Sequence, residues 1–169
     1  PNNPQSIHIT NLSAWCNITF GFSSNPLSND AKFYVNNEEL TELVIPDNVK
    51  RINDYAFNGL KSLTKVSIGT GVTSIGESAF SRCSSLASVH ITDLSAWCKI
   101  TFSDSSSNPL SNYGAKFYLN NNELTELVIP EGIKQINDYA FYNLESLVKV
   151  SMGDEVTSIG DRAFFACTS

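Results

Sequence analysis

Two histidines, four cysteines and a scatter of carboxylates are the side chains that could do chemistry in this 169-residue sequence. His8 and His90 invite a metal reading. They occupy one column of a repeating pattern, three coils apart, which is roughly 14 Å at a strand spacing of about 4.8 Å. Zn–N bonds are about 2 Å long, so the two cannot share an ion. Cys16 and Cys98 are also three coils apart, beyond the ~7 Å limit between bridged Cα atoms. Cys83 and Cys167 alternate in their column with Leu60 and Leu144, as buried free thiols do. Only Cys83 and Cys98, from adjacent coils, could meet. No disulfide is expected, and no Cys-x-x-Cys suggests zinc or redox work. Gly-x-Ser-x-Gly, His-Glu-x-x-His and glycine-rich phosphate loops are missing, so the chain is not read as an enzyme and implies no cofactor. Asp54 and Asp138, in Asn-Asp-Tyr-Ala-Phe, read as caps of a short helical turn. The sequons Asn11-Leu-Ser13 and Asn17-Ile-Thr19 have counterparts at Asp93 and Lys99 that do not match, and read as accidental.

Composition narrows the partners. A formal charge of −6, with 41% apolar and 17% charged residues, suits a globular chain and argues against a nucleic-acid backbone as ligand. There is no run of 18 apolar residues, so no membrane insertion is expected, and any secretion signal lies outside this stretch.

The elements that position these residues come from a double repeat. Leu12-Ser-Ala-Trp-Cys16 returns as Leu94 to Cys98, Ser24 to Asn29 as Ser107 to Asn112, and Glu39 to Pro46 as Glu123 to Pro130, at offsets of 82, 83 and 84. Within each unit a 23-residue period begins at Leu40, Leu63 and Leu86, and again at Leu124 and Leu147. The aligned columns agree. Leu43, Val66, Val89, Leu127 and Val150 form one, and Ile45, Ile68, Ile91, Ile129 and Met152 the next. Val49, Val72, Ile133 and Val156 follow, then Ile52, Ile75, Ile136 and Ile159, and last the Ala-Phe pairs ending at Phe57, Phe80, Phe141 and Phe164.

Leu-x-x-Leu-x-Ile alternates as a strand with one buried face, and Val-x-x-Ile reads as a second short strand. One coil cannot bury its own apolar side, whereas stacked coils can. The reading is a repeat solenoid of short parallel strands with short helical or 3₁₀ turns, in which six coils span roughly 24 Å. Lys32-Phe-Tyr-Val35 with Asn36-Asn37, and Lys116-Phe-Tyr-Leu119 with Asn120 to Asn122, read as β-hairpin arms, since Asn tolerates positive φ. One domain is expected: irregular repeats at 1–39 and 86–123, regular ones at 40–62, 63–85, 124–146 and 147–169. Ser169 closes a 23-residue repeat and neither end carries a polar cap, so the chain is read as a fragment of a longer array or as covered at its ends by another chain.

Leu-Thr-x-Leu/Val-x-Ile-Pro/Gly-x-x-Val-x-x-Ile-Gly/Asn-x-x-Ala-Phe resembles the BspA-like, treponemal-type leucine-rich repeat over residues 40–85 and 124–169. The Ser-Ala-Trp-Cys and Ser-Asn-Pro-Leu segment is similar to an irregular repeat found in some arrays of that family. The Asn or Cys ladder of commoner leucine-rich repeats is replaced by Asn48, Gly71, Leu94, Gly132 and Glu155. The resemblance implies a leucine-rich-repeat solenoid that is secreted or anchored at the cell surface, usually bacterial, with an adhesive role toward host proteins and other cells.

A binding surface remains. The outward positions of the first sheet hold Glu42, Lys65, Ser67, His90, Glu126, Lys149 and Ser151, a mixed-polarity platform for a protein ligand or a glycan. Tyr34 and Tyr118 on the hairpin arms, with Phe33 and Phe117, form a second candidate, because aromatics are enriched in binding hot spots. Three roles follow: a non-catalytic extracellular protein-binding module of adhesion type, a stalk that spaces another domain, or a glycan-binding accessory region of a carbohydrate-active protein. A β-helix lyase would need Asp, Lys and Arg clustered on one sheet, and the columns do not supply them.

Overall fold

The computed structural model describes residues 4–21 and 24–168, so Ser169, read as the close of the last repeat, lies outside it. From the N-terminus the strands are β1 (Ser6–Ile9), β2 (Lys32–Val35), β3 (Glu38–Glu39), β4 (Glu42–Val44) and β5 (Arg51–Ile52). The middle adds β6 (Lys65–Ser67), β7 (Ser74–Ile75), β8 (Ser88–Ile91), β9 (Thr101–Phe102) and β10 (Lys116–Leu119). Then come β11 (Asn122–Glu123), β12 (Glu126–Val128), β13 (Gln135–Ile136), β14 (Lys149–Ser151) and β15 (Ser158–Ile159). Two five-residue helices, α1 (Leu12–Cys16) and α2 (Leu94–Cys98), sit in the irregular segments.

The strands stack in parallel, as the columns require. Glu42, Lys65, Ser88 and Lys116 are register partners along β4, β6, β8 and β10, as are Leu43, Val66, Val89 and Phe117. The Val-x-x-Ile strands form a second stack, β5–β7–β9 and β13–β15. Inward columns are dry: Leu43, Val66, Val89, Ile52, Ile75, Phe57, Phe80 and Phe141 are all fully buried. In the last rung Val150, Met152 and Ile159 stay exposed, since no described rung covers them.

The irregular segments are built differently from the expectation of a single coil with an arm. β2 pairs in parallel with β1, and β10 with β8, so each segment holds two rungs, 26 residues apart between Ser6 and Lys32 and 28 between Ser88 and Lys116. Eight parallel rungs therefore replace the six read from the 23-residue period among the described residues. The hairpin exists as well: β3 folds back on β2 and β11 on β10, through Asn36, Asn37, Asn120 and Asn121 at φ of 49° to 69°. Each hairpin ends a ladder, so the first sheet is divided into β1–β2–β3, β4–β6–β8–β10–β11 and β12–β14.

The Ala-Phe turns are not regular helices. Tyr55, Ser78, Tyr139 and Arg162 lie at positive φ, and so do Gly59, Arg82, Asn143 and Ala166. This alternation aims every second N–H at the next coil: Tyr55, Phe57 and Gly59 donate to the carbonyls of Glu77, Ala79 and Ser81 at 2.8 to 2.9 Å. Asp54 and Asp138 do not cap their own turns. Their carboxylates accept from the N–H of Glu77 and Asp161 in the following coil, at 2.9 and 2.8 Å, because the stacked turn brings that donor closer than any in their own.

Where an irregular segment precedes a turn, side chains supply the missing donors. The Trp15 indole donates to Ala56 O at 2.9 Å and Trp97 to Ala140 O at 2.8 Å, the role that the Phe57 N–H plays toward Ala79. Asn25 and Asn108, both buried, donate to the carbonyls of Tyr55 and Tyr139 while their Oδ1 accepts from Leu27 N and Leu110 N. Asn11 and Asp93 are equivalent N-caps of α1 and α2, accepting from Ala14 and Ala96 N–H, which explains why a sequon Asn faces an Asp in the other unit.

Candidate binding surface

Alternation along each short strand sends Leu43, Val66 and Val89 inward and leaves the residues on either side facing out. The central ladder thereby gathers five of the expected surface residues. Glu42 and Lys65 are partners in one column, and Ser67, His90 and Tyr118 are partners in another with Val44. Glu126, Lys149 and Ser151 form the same arrangement on β12 and β14, and Tyr34 lies beside His8 on the first ladder. The nine residues therefore share one orientation but fall on three ladders.

The charges are paired and weakly held. Lys65 is 3.9 Å from Glu42, and Lys149 is 3.8 Å from Glu126. These are exposed pairs of the kind worth about 0–1 kcal/mol. Lys32 and Lys116 make closer contacts, each 3.0 Å from the hairpin residues Glu39 and Glu123, and hydrogen bonding to that carboxylate raises both lysine pKa values.

The aromatic residues divide. Tyr34 stacks on His8 with ring centroids 4.5 Å apart and planes within 3°, and Tyr118 stacks on His90 at 4.6 Å and 5°. Phe33 and Phe117 are no part of a surface. Both are fully buried, because β2 and β10 are rungs whose alternation points those rings into the core, where they meet Trp15 and Trp97. His90 is half-buried and its Nδ1 has no hydrogen-bond partner. Burial first, and then the charge of Lys65, lowers its pKa, against the opposing effects of Asn121 and Glu42. The extra rung at β2 also sets His8 and His90 more than three steps apart.

Sequence reasoning missed Lys116 as a member of the charged column, while Val44 and Val128, at outward positions of the first sheet, are 62% and 66% accessible. The signal was present: Phe33 and Phe117 sit one residue after a lysine, as Val66 and Val150 do. All four cysteines are free thiols, and burial pushes Cys16, Cys83 and Cys98 up to about 12, which makes them poor nucleophiles. Among the described residues no group of three His, Cys, Asp or Glu side chains could hold a metal, and no helix is long and apolar enough to cross a membrane.

The model of the BspA-type leucine-rich repeat region matches residues 28–169 in six copies. A leucine-rich repeat protein of T. pallidum is 21% identical, over 75% of this chain and 76% of its own, with a TM-score of 0.41. A leucine-rich cell surface protein from Faecalibacterium prausnitzii A2-165 is 25% identical over 98% of this chain and 46% of its own, at a TM-score of 0.42. A leucine-rich repeat protein from Eubacterium ventriosum is 21% identical over 79% of this chain and 44% of its own, at 0.45. The chain thus spans less than half the length of the last two. No curated protein matches it. With six repeat copies matched along most of its length, the chain belongs to the BspA-type leucine-rich repeat family.

Proposed function

We propose that this solenoid is a non-catalytic protein-binding module of adhesion type that presents the outward face of its first sheet to a host or matrix protein. One observation carries the reading: the parallel register lines up Glu42, Lys65, Ser67, His90 and Tyr118, with exposed Val44, on a single ladder face. Aromatic, cationic and aliphatic groups on a rigid sheet are what a protein interface draws on. A location outside the cell or at its surface follows from the family resemblance. A stalk is the second reading, favoured by the lysines of this face, which already lie beside glutamates.

The test combines Lys65→Ala, His90→Ala and Lys149→Ala, with binding measured to a panel of immobilised matrix proteins. A hot spot on this face predicts a loss of about tenfold or more. Binding that survives both the triple variant and Tyr34→Ala with Tyr118→Ala places the site elsewhere, and a chain that binds none of the panel supports the stalk.

A further inference from the structure

The break in the first sheet leaves the same opening twice. In each unit the return strand of the hairpin, β3 or β11, is followed after two residues by the first strand of the next ladder, β4 or β12, and among the described residues does not pair with it. A shallow cleft of about 550 Å³ lies there in the first unit and one of about 480 Å³ in the second. Seven residues lining the first, between Val35 and Glu42, have counterparts 84 positions later in the lining of the second. The strand that walls each cleft belongs to the stretch Glu39 to Pro46, which recurs without change as Glu123 to Pro130.

That wall is an open strand edge. Thr41 O accepts from Thr64 N at 2.8 Å and Ile45 N donates to Ser67 O at 2.8 Å, so both residues turn their backbone groups toward β6. In a parallel ladder successive residues turn opposite ways, which aims the N–H and C=O of Glu42 and Val44 away from β6, on the side of the cleft that Glu42 lines. Thr125 and Ile129 make the equivalent bonds to Val148 and Ser151, leaving Glu126 and Val128 in the same posture. Edge strands are ordinarily blunted, because an unpaired row of donors and acceptors templates another strand. These edges instead carry exposed valines, beside glutamates whose lysine contacts are long, at 3.9 and 3.8 Å.

We infer that each unit holds a strand-addition site at the edge of β4 or β12, which takes an extended segment of a partner protein with a lysine or arginine two positions from an aliphatic residue. The incoming backbone completes the bonds of Glu42 and Val44. Its cationic side chain lies opposite Glu42, its aliphatic one against Val44, and the residue between them faces Leu40. Glu126, Val128 and Leu124 repeat this in the second unit. Alternate-residue specificity of this kind is general to strand addition. The two edges are at least five strand spacings apart, with β6, β8, β10 and β11 between them, about 24 Å or more, so a partner with two such segments joined by a linker of that reach can engage both. The inference rests on the chain being a binding module, but not on Lys65, His90 or Lys149.

The experiment is a calorimetric titration of the whole chain with a synthetic octapeptide that alternates lysine and valine at every second position, with threonine between. Two peptides per chain are expected. Val128→Lys should leave one, and Val44→Lys with Val128→Lys none, while thermal melts of these surface variants confirm that the fold is kept. Methylating alternate peptide nitrogens, or exchanging lysine for glutamate, should weaken binding at least tenfold. Absence of binding, a stoichiometry unchanged by both valine substitutions, or full binding of the methylated peptide overturns the inference. A chain that takes two peptides but no matrix protein sinks the sheet-face proposal and leaves this one standing.

Discussion

Replacing Asn108 by alanine tests whether side chains bridge the irregular segments to the turns that follow. The residue is fully buried, its Oδ1 accepts from Leu110 N at 2.9 Å, and its Nδ2 donates to Tyr139 O at 2.7 Å and Ala140 O at 3.2 Å. The two carbonyls keep other partners, Tyr142 N at 3.0 Å and the Trp97 indole at 2.8 Å. Leu110 N–H, itself in a buried residue, is left without one. An orphaned buried donor costs about 1–3 kcal/mol, and each of the other lost bonds about 0.5–1.5 kcal/mol, so the variant should lose about 2–6 kcal/mol. With a urea dependence of about 2 kcal/mol per molar, the midpoint should fall by roughly 1–3 M. Equilibrium urea unfolding, followed by tryptophan fluorescence and far-ultraviolet circular dichroism, measures it. Asn122→Ala is the control, since that side chain is exposed and makes one bond within its own turn, to Asn120 O at 3.1 Å. Its cost should stay within about 0.5 kcal/mol. Equal midpoints for the two variants would refute the bridging role.

Phe80→Ala should cost about 3–5 kcal/mol, because the ring is fully buried and stacked 5.4 Å from Phe57, whereas Phe165→Ala, 57% exposed, should cost far less. Similar losses in a thermal melt would mean that the columns do not share one core. Gly76→Ala should be destabilising by about 1–3 kcal/mol, since its methyl would run into the side chain and backbone nitrogen of Asp54. Gly153→Ala meets nothing within 4 Å and should be neutral or stabilising by up to about 1 kcal/mol. His90 has a lowered pKa in the fold, so the unfolded chain binds its proton more readily. Stability should therefore drop as pH falls below about 6.5 and not change from this cause above it. His90→Gln should flatten that slope in chemical denaturation, and parallel slopes in the two proteins would count against the assignment.

The regular coils were readable because two periods coincide in them. A 23-residue spacing and a two-residue alternation together fix which of Leu43, Leu127, Val66 and Phe80 point inward, and the outward columns follow from the same register. Where the spacing changes to 26 or 28, that guide fails. Phe33 and Phe117 then looked like hairpin aromatics, although the pattern Lys-Phe-Tyr continues Lys-Val-Ser. Asp54 was misjudged for a different reason. Capping rules consider the acceptor's own chain segment, but a stacked turn places the nearest N–H 23 residues away. Trp15, Trp97, Asn25 and Asn108 act across 30 to 43 residues, a separation that no local rule reaches.

These cases share a cause in the bookkeeping of backbone hydrogen bonds. A solenoid must pair each coil's N–H and C=O groups with the next, since a buried polar group without a partner costs more than a bond yields. The regular turns achieve this with two left-handed residues each, at the expense of strain that Gly59 relieves and Arg82 and Ala166 do not. A coil that carries a helix directs its N–H groups along its own axis and has none to offer sideways. Indole and amide side chains at Trp97 and Asn108 then take over, on the same carbonyl of Ala140. On the opposite face no such substitute appears among the described residues: the hairpin turns β11 back, and β12 begins with an unpaired edge. The irregular segment therefore seals one side of the solenoid with side chains and opens the other. The open side coincides with exposed Val44 and Val128, where a partner's backbone can do what a further rung would.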